Sequence, residues 1–167
     1  MRYQPRHPPA GGISIVVLVL LLLHYYVRPR FWDGPLAPDF LLVALLMLAI
    51  RSRPGVAAVL GLLVGLAYDV LVPAHFGVGM LAHTLVGYLA SQGRAVVFAE
   101  NRMVTAMVLA IGLLVRNLTL VILSGSIQAG ALGGILVNST IQAMTTAVAG
   151  SIVLLIFKNR FALRLDS

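Results

Sequence analysis

Five acids stand in 167 residues, and two of them, Asp39 and Asp69, lie in otherwise apolar surroundings. The stretch Gly61 to Gly77, GLLVGLAYDVLVPAHFG, is apolar for seven residues before Tyr68 and Asp69 arrive together. Arg116 and Asn117 interrupt a third apolar run, His83 a fourth, and Asn138 a fifth. Paired carboxylates sharing a water could do aspartyl-protease chemistry. Asp39 lacks the glycine-rich context that such a partner of Asp69 would have. The chain carries no G-x-S-x-G, no H-E-x-x-H and no phosphate loop. His24, His75 and His83 do not fall at a metal-binding spacing, and His7 is in the N-terminal tail. The residues therefore point away from catalysis and call for no cofactor. What remains is ion pairing, or a polar pocket for a ligand.

The elements that position these groups are membrane spans. The chain is 60% hydrophobic and 10% charged, with a mean hydropathy of +1.00. Soluble domains are closer to half apolar and a quarter charged. The net charge of +7 sits in small groups between apolar runs rather than on one patch, which argues against nucleic acid. There are no cysteines, so disulfides and thiolate metal sites are excluded. Arg2 and Arg6 before Ile13–Leu23 mimic a signal peptide, but no small-x-small cleavage site follows, so the run reads as a retained span.

Six apolar segments are candidates to cross about 30 Å of hydrocarbon. They are roughly 11–27, 35–50, 55–73, 76–92, 103–124 and 131–157. The expected fold is an all-α integral membrane protein, one domain of six transmembrane helices over residues 1–167. Basic residues set the orientation. Arg2, Arg6, Arg51, Arg53, Arg94, Arg102, Lys158, Arg160 and Arg164 fall on one side, and only Arg28 and Arg30 on the other. Both termini are expected in the cytoplasm, with His24, Tyr25, Tyr26, Phe31 and Trp32 forming an aromatic belt at the outer face. The basic and apolar tail from Lys158 to Leu165 is expected to lie on anionic lipid. The 93–102 loop reads as a solvated turn with a short interfacial foot.

Depth follows from a rise of 1.5 Å per residue. Asp69, past Val56, and Arg116, past Met103, each lie about 20 Å above the cytoplasmic face. His83 and Asn138 lie about 10 Å below the outer one. Asn117 adjoins Arg116, and Asp39 enters from outside. A lone charge at such depth is costly and pairs with another polar group. The expectation is an Asp69–Arg116 ion pair with His83, Asn117 and Asn138 completing its hydrogen bonds, either as a packing device or as a pocket. Pro38-Asp39 reads as a helix start, with Pro at the first position and a carboxylate in the first turn. Gly61, Gly65 and Asp69 are spaced by four and share a face that would admit a partner helix closely. The rim around Phe31 and Trp32 is the second docking surface. Gly130 and Gly134, then Asn138, Gln142, Thr145 and Thr146, mark a further small and polar seam.

With the spans placed, the chain resembles the rod shape-determining protein MreD family. The resemblance rests on Pro38-Asp39-Phe40, the Arg53-Pro54 turn, Gly61-Leu62-Leu63-Val64-Gly65-Leu66 with Asp69, Gly77 and Gly79 before Leu81, and Tyr88. It covers most of residues 36–92 and the six-span layout. Members often follow the aspartate with a Ser/Gly-rich turn; here Val70-Leu71-Val72-Pro73-Ala74-His75 follows. The resemblance implies a non-catalytic scaffold in the bacterial cytoplasmic (inner) membrane, part of the cell-elongation machinery. It implies direct binding to MreC, and through it contact with MreB, RodA and a class B penicillin-binding protein during lateral peptidoglycan synthesis. The family is also similar in fold to the S components of energy-coupling-factor vitamin transporters. A solute-binding subunit of that kind, with its pocket in the outer half, is the alternative.

Overall fold

Ten residues, Phe40 to Ala49, are apolar all round, and nine of them are buried. A helix without a polar face is stable only when other elements surround it. In the computed structural model, which describes residues 10–31, 34, 37–71, 73, 76–93, 102–123, 125 and 132–156, this helix is the axle of the fold. The described residues are mostly helical, with no strand among them. The first rod comprises α1 (Ala10–Leu22), a π-helical turn (Leu23–Val27) and α2 (Arg28–Phe31). Then follow α3 (Phe40–Ala49), α4 (Pro54–Leu71), α5 (Val78–Gln92), α6 (Arg102–Leu123) and α7 (Leu132–Ile156). α3 packs against α1, α4, α5, α6 and α7. Around it α4 pairs with α5, α5 with α6 and α6 with α7.

The elements match the six expected segments, with two corrections. The second is shorter than the 35–50 expectation, because Ala37, Pro38 and Asp39 are buried non-helical backbone ahead of α3. At 1.5 Å per residue α3 is about 15 Å long, half the hydrocarbon thickness. Buried irregular backbone is tolerated at such depth only where protein surrounds it. The first segment does not stop at 27, since a wide π turn carries the rod on to Phe31. Among the described residues three helices are long and apolar enough to cross a membrane, in the windows Pro54–Leu71, Ala106–Leu123 and Gly133–Val153. The chain is thus a membrane protein.

Missing side chains allow the closest packing. A Cβ at Gly61 would strike the carbonyl oxygen of His83, and one at Gly65 the backbone of Gly79 and Met80. Gly87 faces the carbonyl of Ala57 in the same way. The α4 stripe of Ala57, Gly61, Gly65 and Asp69 is therefore buried against α5 of the same chain. It was expected to dock a partner helix; the chain uses it internally. At the far end of α5, Ser91 Oγ donates to the carbonyl of Ser52 at 2.6 Å and pins that end to the α3–α4 turn. The 93–102 loop beyond Gly93, the tail after Ile156, Trp32 and the side chain of Phe31 lie outside the described residues.

Candidate functional site

Asp39 and Asp69 are each 1% exposed, and they are satisfied in different ways. Asp69 sits near the end of α4, where the stripe Gly61–Gly65–Asp69 points it at the start of α5. Its Oδ2 accepts from the backbone N–H groups of Gly77 at 2.8 Å and Met80 at 3.0 Å, and its Oδ1 from Gly79 at 3.0 Å. The first N–H groups of a helix have no partner inside it and carry the positive end of its dipole. Asp69 is a remote cap for α5. Gly77, at φ +96°, turns the chain so that these donors converge. Gly79 must lack a side chain, because a Cβ there would overlap the Asp69 carboxylate.

The expected Asp69–Arg116 pair is therefore not formed. Equal depth fixed the height of the two residues but not the direction each faces. Arg116 turns to α3, and its Nη2 donates to Asp39 Oδ2 at 3.1 Å, both side chains being buried. Asp39 Oδ1 also accepts from Leu42 N–H at 3.0 Å, the bond of an N-cap. The helix-start reading of Asp39 holds, shifted by two positions: Asp39 is the cap residue itself, Phe40 rather than Pro38 opens the helix and Pro38 precedes the cap. The Asp39 N–H in turn donates to Thr146 Oγ1 of α7 at 3.0 Å.

The network extends outward from this pair. Arg116 Nη1 donates to Asn117 Oδ1 at 2.6 Å, Asn117 Nδ2 to Gln142 Oε1 at 3.1 Å, and Gln142 Nε2 to the carbonyl of Ala37 at 3.4 Å. The guanidinium carbon lies 4.8 Å from the centre of the Tyr68 ring, within cation–π range. Tyr68 in turn meets His83, with ring centres 5.4 Å apart. His83 is buried and lies 2.7 Å from the Gly79 carbonyl through Nδ1, which therefore carries the proton and donates. His83 Nε2 and Arg116 Nε are buried without a hydrogen-bond partner.

The residue that sequence reasoning misplaced is His24. Assigned to an interfacial belt, it is buried, and the π turn directs its Nδ1 to within 3.2 Å of Leu41 N–H. That nitrogen accepts the backbone proton, so it stands bare 3.6 Å from Asp39 Oδ1 and contributes no cation to the pair. Tyr26 does face outward, at 71% exposed. Asn138 was expected in the polar layer. It is exposed, with no partner among the described residues. Asp39, Arg116, Asn117 and His83 thus gather at one centre, Asp69 stands apart as a cap, and Asn138 turns away. A π turn has no periodic signature in Leu23–Val27. The available signal for His24 was that residues 11–27 contain no other basic or acidic side chain.

This geometry ties a short buried helix to four of the five rods around it. The first rod reaches it through His24, α6 through Arg116, α7 through Thr146, and α4 through Tyr68 against Arg116. The family model for rod shape-determining protein MreD matches residues 11–160. The chain belongs to the MreD family. Neither curated proteins nor solved structures yield a match. Membership gives this MreD protein a role in rod shape determination. It also places the Asp39 centre and the Asp69 cap inside the matched region.

Proposed function

We propose that the chain is a non-catalytic scaffold of the bacterial cell-elongation machinery, spanning the cytoplasmic membrane six times with both termini inside. It binds MreC directly, and through MreC it joins MreB, RodA and a class B penicillin-binding protein in lateral peptidoglycan synthesis. The family match over residues 11–160 carries this reading. The chemistry of the two carboxylates supports it. Asp39 holds a cap and an arginine, Asp69 holds three backbone donors, and both serve to fix helices against one another. A scaffold needs such a rigid frame. Gly61 and Gly65 belong to that frame, so MreC docks on other faces. The outer rim at Phe31 and Trp32 stands as the first of these, as proposed from sequence.

One observation favours a second reading, the solute-binding subunit of an energy-coupling-factor-type transporter. Arg116 Nε and His83 Nε2 are a buried donor and a buried acceptor on side chains that both meet the Tyr68 ring, each lacking a partner among the described residues. A polar ligand in the Asp39 centre would use them. Affinity purification in mild detergent, with protein and small-molecule mass spectrometry on one eluate, separates the two. The scaffold predicts a single-span coiled-coil partner with cell-wall synthases. ATPase subunits, or a stoichiometric small molecule lost on Arg116→Met, would replace it with the transporter reading.

A further inference from the structure

Four of the rods reach the Asp39 centre through a side chain. The fifth, α5, packs along α3 but is tied to the centre by no hydrogen bond among the described residues. What α5 brings there is His83, which is 0% exposed; Arg116 on the neighbouring α6 is 5% exposed. Both side chains meet the Tyr68 ring, the guanidinium carbon at 4.8 Å and the imidazole at 5.4 Å from its centre. Each holds one buried nitrogen that no hydrogen bond satisfies among the described residues, His83 Nε2 and Arg116 Nε. The large majority of buried polar atoms have a partner, and each exception calls for an occupant.

The two nitrogens differ in kind, and that decides the occupant. Arg116 Nε carries a hydrogen and can only donate. The Gly79 carbonyl can only accept, so His83 Nδ1 holds the ring proton and Nε2 of the neutral ring is an acceptor. An acyl chain offers neither a donor nor an acceptor. An anion would suit Arg116 Nε, but it would face the Asp39 carboxylate and leave Nε2 unmet. A cation would suit Nε2 and be repelled by Arg116. Asp39 already neutralises Arg116, so the centre has no charge left to balance. A small neutral molecule that accepts on one side and donates on the other fits both atoms, and water is the smallest. Buried waters sit where polar groups are otherwise unsatisfied.

We infer that an ordered water bridges Arg116 Nε–H and His83 Nε2. It accepts from the first and donates to the second. The bridge ties α5 to the centre that the other four rods reach directly, so the polar axle of the fold is completed by solvent. The inference rests on the buried centre and not on the scaffold reading, and it stands if MreC does not bind. It also gives these two nitrogens an occupant other than the solute of the transporter reading.

The test uses the full chain, isotope-labelled on nitrogen and reconstituted in phosphatidylethanolamine–phosphatidylglycerol liposomes, and solid-state NMR with polarisation transferred from water protons. The chain has four histidines, so the His83 signals are assigned by their loss in His83→Gln. Expected are a ring protonated at Nδ1 and strong water contacts at both His83 Nε2 and Arg116 Nε–H. The Leu42 N–H, which Asp39 already satisfies, should show far weaker contact. In His83→Phe the contact at Arg116 Nε–H should fall to the Leu42 level. In His83→Gln, whose amide oxygen accepts in place of Nε2, it should persist. Should His83→Phe fail to fold, the unsubstituted chain and His83→Gln still carry the test. Three results would overturn the inference: no water contact at either nitrogen, a ring protonated at Nε2, or an Arg116 contact unchanged in a folded His83→Phe. So would contact from the protons of a bound organic molecule, which would hand the site to a solute.

Discussion

Two carboxylates are buried equally in this protein, and their surroundings could hardly differ more. Asp69 is met by three backbone donors only eight, ten and eleven residues further along the chain. Asp39 is met by a guanidinium from α6, and its own N–H reaches a threonine 107 residues away. The first carboxylate closes a local turn between neighbouring helices; the second ties together helices that meet only when the fold is complete. The donors around Asp69 are neutral dipoles, so its removal leaves no charge behind. Around Asp39 removal of either partner strands an opposite charge in a buried place. The same residue type thus costs little or much according to what faces it.

The largest effect should follow from separating the Asp39 pair. Arg116→Ala leaves a buried carboxylate without its counter-charge, and a loss of about 3–5 kcal/mol is expected. Steric-trap unfolding in bicelles reads it directly. The double variant Asp39→Asn with Arg116→Met keeps the cap oxygen and removes both charges. It should return to within about 1–2 kcal/mol of the parent, because a buried ion pair is often replaceable by apolar packing. If the double variant falls as far as Arg116→Ala, charge pairing is not what the centre contributes.

The counterpart is Asp69→Asn. The amide keeps one acceptor but turns N–H groups towards the donors of Gly77, Gly79 and Met80. A loss of about 2–3 kcal/mol is expected, without any rescue by a second substitution at Arg116. Hydrogen exchange should localise the damage to the first turn of α5, whereas Arg116→Ala should loosen α3, α6 and α7 together. Additivity of Asp69→Asn with Arg116→Ala, within about 0.5 kcal/mol, would establish the two sites as independent. A large coupling would restore the direct pairing expected from their depths.

That expectation marks where sequence stops being informative. Hydropathy and the Arg53-Pro54 turn placed all six helices within a few residues, because length and apolar content are read locally. The Gly61, Gly65 and Asp69 spacing put a small-residue stripe on one face of α4, which is also local. It did not say whether the stripe serves a partner or the neighbouring helix, since both demand the same residues. Depth came from counting, and rotation did not. Arg116 and Asp69 share a level, but the α4 stripe turns Asp69 to α5. Asp39 was placed at the outer entrance of its span because segment two was taken to begin at 35. It starts at Phe40, with buried backbone before it, so its cap lies deeper. His24 needed the π turn, which rotates the rod out of the 3.6-residue register and leaves no mark in composition.

The smallest effect tests how far the Asp39 centre depends on its long-range neighbours. Thr146→Val keeps the shape of the side chain and removes the hydroxyl that accepts from the Asp39 N–H. A buried donor left unpaired would cost about 1 kcal/mol, less than either carboxylate change, because the charged contacts of Asp39 survive. The equivalent change near Asp69 is Thr84→Val, whose hydroxyl bonds only the Met80 carbonyl of its own helix. That carbonyl keeps a helical partner, so almost no loss is expected. If the two threonines prove equal, the tie between α3 and α7 carries no energy beyond packing. If Thr146→Val costs clearly more, the non-local carboxylate is the one that depends on the whole bundle. The contrast with Asp69 is then one of reach as well as of charge.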